Sequence, residues 1–207
     1  MIVSNTKERP IILTTQEVNA VLAGNKTQHR VPVLTAKEID EGFEWDFSAE
    51  GDSAVCIKEI DDERQEVLLK PCPFGAIGDR LWVQEPTLAI EDVGWIGPVF
   101  VASDAGRNAI DWGYGPYDDP AHIPACELTY NKPDDLSYED SRLLLEITDI
   151  SIERVQDITL GDSLKEARDG LMDFAADYWM PKHGEVAWFK NPWVWAIEFK
   201  VIDGVTE

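Results

Sequence analysis

The sequence predicts an α+β chain, mostly β, with two or three helices and long loop insertions, and three observations predict it. Apolar residues recur at period two in several stretches, most plainly at Leu81 and Val83, from Leu143 to Ile147, and from Trp193 to Val201. Two helical stretches carry a threonine cap at one end and a glycine at the other, Thr14 to Gly24 and Thr159 to Gly170. Breakers crowd residues 86–140 and carboxylates crowd residues 34–50, so both read as insertions in a single domain spanning 1–207.

The first element is a short strand from Pro10 to Leu13. Thr14 followed by Glu17 spells a capping box, which satisfies two orphaned N–H groups at a helix start. Val18, Val21 and Leu22 give that helix one apolar side, and Gly24 supplies its left-handed stop. Asn25, Lys26, Thr27, Gln28, His29 and Arg30 then read as an exposed polar loop, the best site candidate in the chain.

The stretch from Leu34 to Asp46 reads as an acidic excursion. Ala54 to Ile60 and Glu66 to Lys70 read as a hairpin turning through residues 61–64. Gly78-Asp79 leads into a strand from Arg80 to Gln84, whose polar side, with Glu85, offers Arg80, Trp82, Gln84 and Glu85 as cleft linings. Residues 86–140 leave one strand, Val99 to Ala102, among loops carrying Trp95, Trp112, Tyr114, Tyr117 and Tyr130; pinning those loops to the core is favoured over stacking on bases. Leu143 to Ile152 is a strand. Thr159 caps a helix turning Leu160, Leu164 and Ala167 inward, and a second helical piece, Met172 to Met180, closes at Pro181. The last strand, Pro192 to Ile202, sets Trp193, Trp195, Ile197, Phe199 and Val201 on one face.

Composition narrows the function classes. A hydrophobic content of 44% with eight tryptophans supplies a core. No apolar run has membrane-spanning length and Met1 to Pro10 lacks a signal-peptide order, so a soluble cytoplasmic protein without a membrane partner is expected. Cys56, Cys72 and Cys126 are odd in number and lack a C-x-x-C pair, which fits free thiols in a reducing compartment. Cys72, His122 and Cys126 could be combined around zinc, but a fourth ligand is not evident, and no metal or cofactor is expected. Forty acidic against 18 basic residues give a formal charge of −22, the opposite of the usual nucleic-acid binder, so any RNA site must be local. Solvated acidic loops are the ordinary reading of that charge; a surface for a basic protein partner, mimicking nucleic-acid phosphate, is the sharper one.

The run G-N-K-T-Q-H-R, Gly24 to Arg30, resembles the signature loop of ASCH-domain proteins, where a glycine, a lysine two positions on and a later arginine follow a short helix. Residues 71–85, 141–159 and 191–202 are similar, in that order, to segments of phage and prophage ASCH-domain proteins. In that family an arginine stands at Gln84 and a tryptophan near Leu88. The resemblance implies a PUA-like β-barrel with flanking helices, a phage or prophage protein in a bacterial host, and an association with RNA or modified nucleobases. Some small members hydrolyse N4-acetylcytidine. Their working lysine corresponds to Lys26, their threonine to His29, their glutamate to Asp169 when the helix ends are aligned at Gly170, and their arginine to Val31 unless Arg30 takes its role.

Amide hydrolysis needs a nucleophile or activated water, a base and a stabiliser of the oxyanion. Thr27 offers a hydroxyl, His29 a base and Lys26 a cation, with Asp169 or Glu166 to orient the histidine. Binding asks less: Lys26, Gln28, His29 and Arg30 as a cationic rim, Trp82 as a stacking face, and a mouth wide enough for one splayed nucleotide. The leading expectation is RNA or modified-nucleoside binding, ahead of an amidohydrolase acting on an N4-acylated cytosine and of an acidic protein that meets a basic partner. Nuclease action is weaker, since no metal-binding carboxylate motif of definite spacing occurs.

Overall fold

A computed structural model describes residues 6–50, 53–62, 64–91, 95–112 and 128–204. In chain order the elements are β1 (Glu8–Ile12), α1 (Thr15–Leu22), β2 (Gln28–Pro32), α2 (Ala36–Asp40), β3 (Glu44–Glu50), β4 (Ser53–Asp61), β5 (Arg64–Pro71), β6 (Arg80–Gln84), β7 (Thr87–Glu91) and β8 (Trp95–Phe100). There follow α3 (Asp104–Trp112), β9 (Leu128–Asn131), β10 (Leu143–Arg154), α4 (Leu160–Lys165), α5 (Leu171–Asp173), a π-helical turn (Phe174–Trp179), α6 (Met180–His183), α7 (Glu185–Phe189) and β11 (Trp193–Gly204). The chain is α+β and mostly stranded, as predicted.

The strands form a five-stranded sheet of order β1-β6-β10-β11-β2 and two three-stranded sheets, β3-β4-β5 and β8-β7-β9. Among the described residues none of these sheets closes on itself, so the expected barrel is replaced by open sheets. Among the described residues there are seven α-helical segments, most of them one turn or two, where two or three helices were expected. No helix among the described residues is long and apolar enough to cross a membrane.

By its own contacts the chain divides into two units: residues 1–7, 25–80 and 146–200, and residues 8–24, 81–145 and 201–207. In the second unit α1 carries the capping box: Glu17 N–H donates to Thr14 Oγ1 at 3.3 Å and Thr14 N–H to Glu17 Oε2 at 2.9 Å. Gly24 then turns the chain at φ 73°. Leu81 and Val83 of β6 and Leu143 and Leu145 of β10 are buried, as their alternation requires. The stretch expected to hold one strand contains β7, β8, α3 and β9. Trp95, Trp112, Tyr114, Tyr117, His122 and Cys126 lie outside the residues whose side chains are described, and Tyr130 is exposed.

In the first unit β4 and β5 form the predicted hairpin, with Cys56 opposite Leu68 and Ile57 opposite Val67. The acidic excursion instead folds into α2 and β3. Thr35 and Glu38 make a second capping box there, and Lys70 anchors Glu38 at 2.9 Å. A core gathers Val155, Ile158, Phe174, Tyr178, Trp179, Trp188 and Val194. Two expectations are overturned. Leu160 and Leu164 are 65% and 52% exposed, and the inward side of α4 carries Ser163 and Glu166. Pro181 does not close a helix: it is the second residue of α6, which continues directly from the π-helical turn and runs on to His183.

Candidate functional site

Of the six residues expected as an exposed loop, Asn25 is exposed and Thr27 part-buried, but Lys26, Gln28, His29 and Arg30 are buried. Gln28 to Pro32 are strand β2, antiparallel to β11, with Gln28, His29 and Arg30 opposite Glu198, Ile197 and Ala196. Just before the strand, Thr27 N–H donates to the Lys165 carbonyl at 2.8 Å and the Thr27 carbonyl accepts from Phe199 N–H at 2.9 Å. Lys26 forms a β-bridge with Glu166. The backbone of Lys26 and Thr27 is thus held between the end of α4 and β11, which draws the following side chains inward. Lys26 and Glu166 are each 1% exposed, His29 2% and Arg30 0%.

Their charges answer one another. Lys26 Nζ donates to Glu166 Oε2 at 2.6 Å and to the Gln28 carbonyl at 2.9 Å. Arg30 Nη1 donates to Glu166 Oε1 at 3.0 Å and to Gln28 Oε1 at 2.6 Å. Arg30 Nε and Nη2 share Glu153 Oε1, at 2.9 and 2.5 Å, and Asp162 Oδ2 lies 3.9 Å from Nη2. Glu166 therefore bridges two cations with both oxygens. The side chains of Glu153 and Asp162 retain 28% and 22% of their exposure and mark the solvent side of the network.

His29, one residue out of step with Gln28 and Arg30, sits edge-on to Phe74 with ring centroids 5.7 Å apart, and its Nδ1 is 3.4 Å from Tyr178 Oη. Burial, then the charges of Lys26, Lys182, His183 and Arg30, hold its pKa well below the usual histidine range, so it is a neutral imidazole at pH 7. Around the Tyr178 ring stand three cationic groups: Arg168 Cζ at 5.0 Å, Lys182 Nζ at 5.2 Å and Lys26 Nζ at 5.5 Å from its centroid.

The expected reacting set is not assembled. Asp169 is exposed and its backbone N–H donates to Asp173 Oδ2, while Glu166 takes Lys26 and Arg30 and leaves His29 to Tyr178. Thr27 takes part through its backbone. Of the residues expected to line a cleft from the later strand, Arg80 belongs to the first unit, and its N–H donates to the Lys7 carbonyl. The other three belong to the second. Gln84 Nε2 donates to the Asp134 and Leu136 carbonyls, and Glu85 is bound through both oxygens by Arg142, at 2.8 and 2.9 Å. Both side chains there secure the loop before β10. Trp82 lies edge-on to Tyr138, and the two line a cavity of about 290 Å³ with Ser141 and Arg142.

Sequence reasoning missed Glu153, Tyr178 and Arg168, and ranked Asp169 beside Glu166. The signal for Glu166 was its spacing of three from Ser163 on a helix whose leucines face water. Only the cations that fold against Glu166, Lys26 and Arg30, reveal that face as the inner one. Among the described residues no group of histidine, cysteine and carboxylate side chains could hold a metal ion. No protein-family model, curated protein or solved structure matches the chain.

Proposed function

We propose that this chain is a PUA-like domain of the ASCH type that binds a modified nucleoside at the network of Lys26, Gln28, Arg30 and Glu166. The observation that carries the reading is the burial of Lys26 and Arg30, both of the G-N-K-T-Q-H-R segment, in one hydrogen-bonded network with the buried Glu166. Folding gains little from such a network, since desolvating the ions offsets most of their attraction and apolar side chains of similar volume serve stability as well. Charged groups kept buried at that cost are a recurrent property of binding and reaction sites.

The charge balance narrows the ligand from an RNA strand to a single nucleoside. Lys26 and Arg30 are met by Glu166, Glu153 and Asp162, so the network holds no surplus positive charge for a run of phosphates. It does hold the donors and acceptors that read a base edge: a carboxylate for an exocyclic N–H, and ammonium, guanidinium and amide for carbonyl oxygens.

Hydrolysis of an N4-acylated cytosine is the second reading, favoured by the 2.6 Å contact of Lys26 Nζ with Glu166 Oε2. Glu166 would take a proton from water as its oxygen bonds to the acyl carbon, with Lys26 facing the developing oxyanion. The C–N4 bond then breaks as that proton passes to N4, giving cytidine and a carboxylic acid.

The test is incubation of wild type and Glu166→Gln with N4-acetylcytidine, following conversion by mass and binding by calorimetry, each protein first shown to melt cooperatively. Saturable binding without conversion supports the first reading, and conversion lost in the variant supports the second. Neither signal contradicts both and leaves the acidic surface with a basic protein partner.

A further inference from the structure

Arg168 stands apart from the other arginines whose side-chain partners are described. Arg30, Arg64, Arg107 and Arg142 each pair with a carboxylate, and Arg154 donates to the Asn191 carbonyl and lies over Trp193. In a chain with 40 acidic residues, Arg168 has no carboxylate partner among the described residues, and its Nε is buried without a hydrogen bond. Its acidic neighbours in sequence do not answer it, since Asp173 accepts from the Asp169 backbone.

The position of Arg168 is enforced. Ala167 adopts φ 57°, a left-handed conformation that costs a non-glycine residue of the order of 1 kcal/mol or more. Arg168 N–H donates to the Ser163 carbonyl at 2.8 Å, and the buried Ser163 hydroxyl donates to the Arg168 carbonyl at 3.2 Å and accepts from Gly170 N–H at 3.0 Å. This turn sets Glu166 into the buried network and, two residues on, lays the Arg168 guanidinium beside the Tyr178 ring. Lys182 reaches the same tyrosine, donating to its Oη at 3.3 Å.

We propose that Arg168, with Lys182, forms an anion subsite beside the Lys26–Glu166 network that takes the phosphate of a nucleotide, so that the ligand is a modified nucleoside monophosphate and not the free nucleoside. The inference rests on the nucleoside reading above. A guanidinium already fixed beside a ring loses little freedom on meeting a phosphate and offers it a two-point hydrogen-bonded contact. The sequence hid the subsite because Arg168, between Glu166 and Asp169, reads as one charge in a mixed surface run.

The experiment is calorimetric titration of wild type, Arg168→Gln and Lys182→Met with N4-acetylcytidine, its 5′-monophosphate and inorganic phosphate, after checking that each protein melts cooperatively. Wild type is expected to prefer the nucleotide by about tenfold or more, the scale of a charge-assisted contact. Arg168→Gln should lose most of that preference and Lys182→Met part of it, and inorganic phosphate should weaken nucleotide binding more than nucleoside binding. Equal binding of nucleoside and nucleotide by wild type, or a preference that persists in Arg168→Gln, overturns the subsite alone. No binding of either ligand overturns the nucleoside reading and the subsite with it.

Discussion

Lys26 and Glu166 are the residues on which the rest depends, and their burial makes two measurements decisive. Removing one member of a buried ion pair leaves the other uncompensated, so Lys26→Met is expected to cost about 3–5 kcal/mol in urea unfolding, and Lys26→Met with Glu166→Gln less than the sum of the single changes. Additive losses would mean that the two side chains are not coupled. The histidines give the second measurement. His29 is held well below the ordinary pKa by burial and then by Lys26, and His183 is lowered to about 4 by burial and then by Lys182. The unfolded chain protonates near pH 6.5 while the folded chain does not, so the contribution of each is fully present above pH 6.5 and is lost as pH falls, for His183 as it approaches about 4. The melting temperature of wild type should therefore drop more between about pH 7 and about pH 5 than that of His183→Asn, and parallel curves would contradict this. Lys26, Gln28, His29 and Arg30 were legible as site candidates, but their burial was not. A polar run after a helix-ending glycine reads as solvated loop, and the carboxylates that enclose it, Glu153 and Glu166, lie 123 and 136 positions beyond Arg30.

At the scale of elements, what was legible depended on how local the signal is. The Thr14–Glu17 box announced α1 because an apolar stripe follows it. The same spelling at Thr35–Glu38 introduces α2, where acidic neighbours and few apolar residues concealed it. Strands β6, β10 and β11 were legible from period two alone. The sheet of β7, β8 and β9 was not, since β9 reaches β7 only through long-range pairing, Ala89 opposite Thr129 and Leu88 opposite Tyr130. Gly106 shows the same limit from the other side. It reads as a breaker, yet it lies within α3, where a Cβ would be driven into the Phe100 carbonyl oxygen and lie 2.8 Å from Val101 Cα. Both obstacles are backbone and cannot swing away. Gly106→Ala is therefore expected to destabilise the second unit by about 1–3 kcal/mol, although alanine is the better helix former, and a rise in melting temperature would contradict that packing.

Across the whole molecule the formal charge of −22 sets the conditions under which any site works. Self-repulsion among surface carboxylates is screened within about 10 Å at 0.1 M salt, so the melting temperature should rise as salt is raised from about 20 to about 300 mM. A fall would mean that surface ion pairs such as Lys190–Asp40 and Lys165–Glu198 outweigh the repulsion. The same charge disfavours a polyanion, and the proposed ligand, a single nucleoside with at most one phosphate, is the kind it opposes least. The fold class was legible because alternation and caps are local. The open sheets in place of a barrel were not, because closure depends on which strands find each other.

The central claim, that the Lys26–Glu166–Arg30 network is a ligand site, is tested most directly by titrating the isotopically labelled protein with N4-acetylcytidine and following its amide and side-chain NMR signals. The account predicts saturable shifts concentrated at Lys26 to Arg30, Glu166 and Tyr178. Unchanged spectra at millimolar ligand, or shifts confined to residues outside that network, would contradict it.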